Sequence, residues 1–202
     1  MTKAVVDAKR GSIGARRNPA SAEAILDAAK AELVEKGYAG FSIEGVARRA
    51  RAGKPTIYRW WPSKTALLLD VYQRQKGGVD YGGSGDLEED MVAFVTSLLR
   101  HWRSTSSGSI FRSLLAEAQS NREAGAALAD YAALRRSETG GMVRAAQERG
   151  EVAADVDPEV VADLLSSYAW SHLLTDRLDE DEATIRKAVR AIVRGIAATP
   201  GA

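Results

Sequence analysis

The chain of 202 residues contains no cysteine. That one absence removes disulfides, thiolate nucleophiles and cysteine-based zinc sites together. Histidine is nearly as scarce, with only His101 and His172, which leaves little metal chemistry, and no cofactor is expected. Long apolar runs are missing too: none approaches the roughly 18 residues of a membrane span, and the first residues lack a signal-peptide apolar core. A soluble, cytoplasmic protein with no membrane partner is the expectation. Strand-like alternation, internal repeats and low-complexity tracts are absent as well. The apolar pattern is helical throughout, so the fold class expected is all-α.

What is present is unevenly divided. The net charge is only +1, yet residues 1–78 carry 15 Lys/Arg against 7 Asp/Glu, and the remainder carries 13 against 20. A basic amino-terminal part on an acidic body is the charge layout of a nucleic-acid-binding unit joined to one that does not bind nucleic acid. The basic residues are not laid along one long amphipathic helix, which disfavours a membrane surface as their target.

The densest signal lies between Gly53 and Lys64. Pro55 suits the first turn of a helix, and Pro62 ends that helix about two turns later. Ile57 and Trp61, at i and i+4, take the core side. Lys54, Thr56, Tyr58, Arg59 and Trp60 are left to share the rest of the circumference, a face suited to a major groove. Trp60 reads equally as a packing aromatic and as an apolar contact to a thymine methyl or sugar. Lys54 and Lys64 each fall in a first helical turn, where the macrodipole disfavours a cation. Free amides beside an ammonium make an anion site, so both lysines are candidate phosphate contacts.

Upstream, residues 1–17 form a basic arm in which Arg16 and Arg17 are the better candidates for backbone contact. Asn18-Pro19 opens a first helix over about 19 to 36, closed by Gly37. Ser42 caps a second over about 43 to 50, whose exposed side carries Arg48 and Arg49. The short turn Arg51-Ala52-Gly53 then delivers the chain to the basic helix, completing a helix-turn-helix. Ser63 starts a fourth helix.

Gly37-Tyr38, Phe41-Ser42, Val46-Ala47 and above all Thr56-Ile57-Tyr58-Arg59-Trp60-Trp61-Pro62-Ser63-Lys64 with Ala66-Leu67 closely resemble the DNA-binding domain of the TetR family of bacterial transcriptional regulators. The resemblance covers residues 18–78. It implies that Ser42, Lys54, Thr56, Tyr58 and Lys64 touch phosphates or bases, with Ile57 and Trp61 in the core; Pro55 lies on the same contact stretch. The family usually has glycine where this chain has Arg51. That departure predicts a looser turn, or one shifted onto Gly53.

Five glycines between Gly77 and Gly85 read as a flexible linker and set the boundary with a second domain, residues 79–202. Asp86, Glu88, Glu89 and Asp90 start a fifth helix; Ser104 to Ser109 reads as loop; a short sixth helix, a long seventh ending at Gly150, an eighth from Asp157-Pro158 and a ninth over about 181 to 198 follow. Gly140-Gly141 inside the seventh points to a bend or a close crossing, or more sharply to a ligand-responsive hinge. The architecture expected is thus a helix-turn-helix domain joined by its fourth helix to a larger ligand-binding and dimerisation domain.

Three functions compete. A ligand-responsive repressor would bind a palindromic double-stranded operator as a homodimer and leave it for a small-molecule effector. Its ligand pocket would draw on His101, Trp102, Gln119, Tyr131, Tyr168, Trp170 and His172, and its dimer interface on Tyr168, Ile185, Val189, Ile192 and Ile196. An enzyme would need the histidines and acids paired at a diagnostic spacing, and nothing pairs them. A non-specific architectural DNA binder leaves the acidic domain without a purpose.

Overall fold

A computed structural model describes residues 19–75 and 79–197; Arg16, Arg17 and the arm lie outside them. Among the described residues the chain forms nine helices: α1 (Pro19–Gly40), α2 (Ile43–Ala50), α3 (Lys54–Trp60), α4 (Lys64–Gln75), α5 (Leu87–Ser104), α6 (Ser107–Ser120), α7 (Arg122–Glu148), α8 (Pro158–Leu174) and α9 (Glu182–Ile196). The all-α expectation holds. Helices α1 to α3 close a small core around Ile25, Val46, Ile57 and Trp61, and α4 continues that core into the one built by α5 to α9.

Local chemistry sets most of the boundaries. The Ser42, Asp86, Asp157 and Asp181 side chains each accept a backbone N–H from the first turn of the helix that follows. Ser63 does the same for the Ala66 N–H. Gly37, with φ 65° and ψ −179°, interrupts α1 where the sequence places its end.

Two expectations are corrected. Residues 79–85 are not a free linker, because Asp90, 5% exposed, accepts the Gly83 and Ser84 N–H groups and Tyr81 packs on Phe94. A Cβ at Gly82 would come within 2.8 Å of the Asp90 carboxyl, so the glycine there serves close packing rather than flexibility. The expected loop before α6 is shorter than read, since Ser107 is already helical and buried. Within α7, which runs unbroken for 27 residues, Gly140 faces the Pro158 carbonyl: a Cβ would lie 3.2 Å from its oxygen. A close crossing of α7 and α8 explains that glycine without a hinge.

Candidate nucleic-acid interface and the cavity behind it

The turn before α3 keeps its tight form without glycine. Arg51 takes the left-handed conformation itself, φ 51° and ψ 39°, and its N–H reaches back to the last carbonyls of α2. Gly53 is extended, φ −73°, and caps α3. The expected looser or shifted turn does not occur. In exchange the backbone carries the strain of a non-glycine residue in that region, about 1–2 kcal/mol.

Ile57 and Trp61 are buried, and the Trp61 indole N–H donates to Asp70 at 2.7 Å, fixing α3 to α4. Tyr58, 47% exposed, stands clear of the protein beside exposed Lys54, Pro55 and Arg59 and half-buried Thr56. Arg48 and Arg51 are exposed on the turn side of the same motif. Together these side chains make the outward face of the helix-turn-helix.

Other sequence candidates are placed elsewhere. Arg49 pairs with Glu32 at 2.7 Å and with Glu35, so its guanidinium ties α2 to α1. Ser42 spends its hydroxyl oxygen on the Gly45 N–H. Trp60 turns to the groove between α3 and α7, edge-on to Trp61 and across from Tyr131 and Leu134, which favours the packing reading over the thymine contact. The two lysines also diverge. Lys54 pairs with exposed Glu44 at 2.8 Å, and that hydrogen bond raises its pKa. Lys64 is half-buried, 4.4 Å from the Tyr38 ring centre and 3.4 Å from the Tyr38 carbonyl oxygen; burial lowers its pKa. Its ammonium is a clamp on the end of α1, and the Tyr38 hydroxyl continues the clamp to Glu117 of α6.

Behind the helix-turn-helix, α4 to α8 line a partly open cavity of about 90 Å³. Trp102, Tyr131 and Trp170 line it as the sequence expects. His101, Gln119, Tyr168 and His172 do not. Gln119 is exposed and donates to the Leu115 carbonyl. His172 is buried between the Tyr168 carbonyl and Glu180, at 2.9 and 3.3 Å, with the Tyr168 ring against it. His101 lies edge-on to the Tyr72 ring. Sequence reading missed the wall residues Tyr72, Phe111, Arg135 and Thr139. Tyr131, Arg135 and Thr139 recur every four residues along α7, and that spacing was the available signal.

The dimer candidates fare similarly. Ile185 and Val189 are each 1% exposed, buried within the subunit, so neither is free for a partner. Ile192, Ile196 and Tyr168 are half-buried against the same core. The outward face of α8 instead bears Val160, Leu164 and Leu174, each more than half exposed.

A helix-turn-helix head on a helical body with an internal cavity defines a DNA-binding regulator of the one-chain, two-domain kind. Comparison with known proteins carries this further. Residues 25–71 match the description "Bacterial regulatory proteins, tetR family" and residues 83–192 match "Tetracyclin repressor-like, C-terminal domain". The HTH-type transcriptional regulator YdeS of Bacillus subtilis is 27% identical over 192 residues, 92% of this chain and 94% of its own. Regulator Rv1556 of Mycobacterium tuberculosis is 28% identical over 163 residues, 80% of each chain. Among solved structures, the TetR family transcription regulator SCO0332 superposes with a TM-score of 0.76 at 29% identity, over 88% of this chain and 98% of that one. The chain belongs to the TetR family of bacterial transcriptional regulators. The relatives are transcriptional regulators by description, and among the described residues no helix is long and apolar enough to cross a membrane.

Proposed function

We propose that this regulator is a repressor which grips a near-palindromic operator as a homodimer in the cytoplasm and releases it when a small molecule fills the cavity. The observation that carries the ligand response is the position of Tyr72. It sits in the cavity wall on α4, where its hydroxyl accepts the Trp102 indole N–H at 2.6 Å. The same helix holds α3 through Asp70 and Trp61. A ligand that displaces Tyr72 therefore moves the element on which the recognition helix rests. Tyr131 adds a second path, since it borders both the cavity and the groove beside Trp60.

Pairing is supported by the apolar row on α8, because one seven-residue recognition helix reads few base pairs and two-fold symmetry doubles the site. A ligand lowers operator affinity only if it binds one spacing of the two heads better than the other, and operator must then weaken ligand binding by the same factor. The test is a fluorescence anisotropy titration of operator fragments taken from beside the regulator's own gene, with and without cavity ligand. Equal ligand affinity for free and operator-bound protein would remove the regulatory claim and leave DNA binding intact.

A further inference from the structure

The cavity contains one feature that selects a ligand class. Arg135 points into it from α7 with its side chain 13% exposed. One terminal nitrogen donates to the Tyr81 hydroxyl at 3.1 Å, and the other pairs with Glu138 one turn along the helix. Its Nε is enclosed and has no acceptor among the described residues. The guanidinium also lies 5.8 Å from the centre of the Tyr131 ring. A buried N–H on a charged group, left without an acceptor, is costly enough that a molecule supplying one binds preferentially.

The other charges around the space are accounted for. Arg136 pairs with Asp163 across α7 and α8 at 2.8 Å, and Glu138 is 41% exposed, where water screens it. The least exposed charge in the lining is therefore the positive one of Arg135, shared on one side with Glu138. The opposing wall is built from rings: Phe111 stacks on Tyr72 at 4.7 Å between centres, and Trp170 stands edge-on to Phe111 at 5.5 Å. Such a wall takes flat, apolar ligands whose own rings can stack or meet an edge.

We infer that the cavity binds a planar aromatic acid of one or two fused rings, with a carboxylate oxygen accepting the Arg135 Nε–H and the rings lying against Phe111 and Trp170. This rests on the reading of the cavity as the effector site and gives the effector a negative charge.

The full-length protein is titrated by calorimetry with 2-naphthoate, benzoate and methyl 2-naphthoate, which keeps the rings and removes the charge. The expected result is that 2-naphthoate binds at least about tenfold more tightly than its ester, and that Arg135→Met erases the difference. Equal affinity for acid and ester overturns the assignment. So does the absence of binding by either acid up to about 1 mM, or an Arg135→Met protein that still prefers the acid. If that variant loses its cooperative thermal transition, the acid-to-ester ratio on the unaltered protein decides alone. Operator affinity is measured in the same samples. Binding of 2-naphthoate with unchanged operator affinity sustains the ligand class and defeats the regulatory reading, so the two fail separately.

Discussion

Glu32 is the residue on which the amino-terminal domain turns. It lies near the domain surface and yet has no exposure, covered by Lys36 and Arg49, each 2.7 Å from a carboxylate oxygen. Gly45 leaves room for it; a Cβ there would fall 1.8 Å from Oε1. The hydrogen bond from Lys36, then that from Arg49, lowers the carboxyl pKa below its ordinary 4.5. A carboxylate with a depressed folded pKa adds stability above its unfolded pKa, and the contribution disappears as pH falls through the folded one. Glu32→Gln should therefore destabilise the protein by about 2 kcal/mol near neutral pH. In urea unfolding, the gap between wild type and variant should close as pH drops below 4.5. A gap that stayed constant down to acid pH would assign the loss to packing instead. Arg51 offers a second residue-scale test. Arg51→Gly removes left-handed strain and adds unfolded-state entropy, so stability should rise by less than about 1 kcal/mol, while operator affinity falls with the lost charge. A drop in thermal midpoint would mean that the arginine side chain holds the turn.

At the scale of elements, the two first-turn lysines look alike in sequence and differ in the fold. Lys54 is exposed and shares its charge with Glu44; Lys64 is spent on Tyr38. Lys54→Ala should weaken binding to all DNA and reduce the salt slope of log K by about one unit. Glu44→Gln should strengthen binding to all DNA. Lys64→Ala should leave the slope unchanged and cost about 1 kcal/mol of stability, the value of a partly desolvated cation over a ring. Anisotropy titrations at three salt concentrations, with a thermal melt of each variant, separate these outcomes; a slope change for Lys64→Ala equal to that of Lys54→Ala would put its ammonium on a phosphate after all. The contrast also shows what the sequence could convey. Caps such as Ser42, Asp86 and Asp157 act on the next turn of their own chain, and the helices they start are read correctly. The partners of Lys64, Arg49 and Asp90 lie 26, 17 and six or seven residues away. Only the fold brings them together. Glycine-rich composition likewise reports freedom of the chain and is silent on whether a carboxylate like Asp90 will remove it.

At the scale of the molecule, apolar spacing reveals that a helix has a buried side but not which neighbour buries it. For α9 the sequence points outward with Ile185 and Val189, and the subunit itself takes both. For α8, Val161, Leu165 and Ala169 face the core, while Val160, Leu164 and Leu174 point the opposite way, 56%, 54% and 59% exposed, with Ser167 and Ser171 in the same row. A helix apolar on both sides is one that two bodies cover. If this row is the two-fold contact, Leu164→Glu with Leu174→Glu sets like charges across the axis and gives a folded monomer. Sedimentation velocity should then show one subunit, helix content should be unchanged, and affinity for a two-half-site operator should fall at least about a hundredfold towards that of a single half-site. Ile185→Glu, by contrast, should unfold the body, because that side chain has no route to water. The two substitutions thus separate assembly from folding. A double α8 variant that still sediments as a dimer would move the interface to another face and leave the row on α8 unexplained.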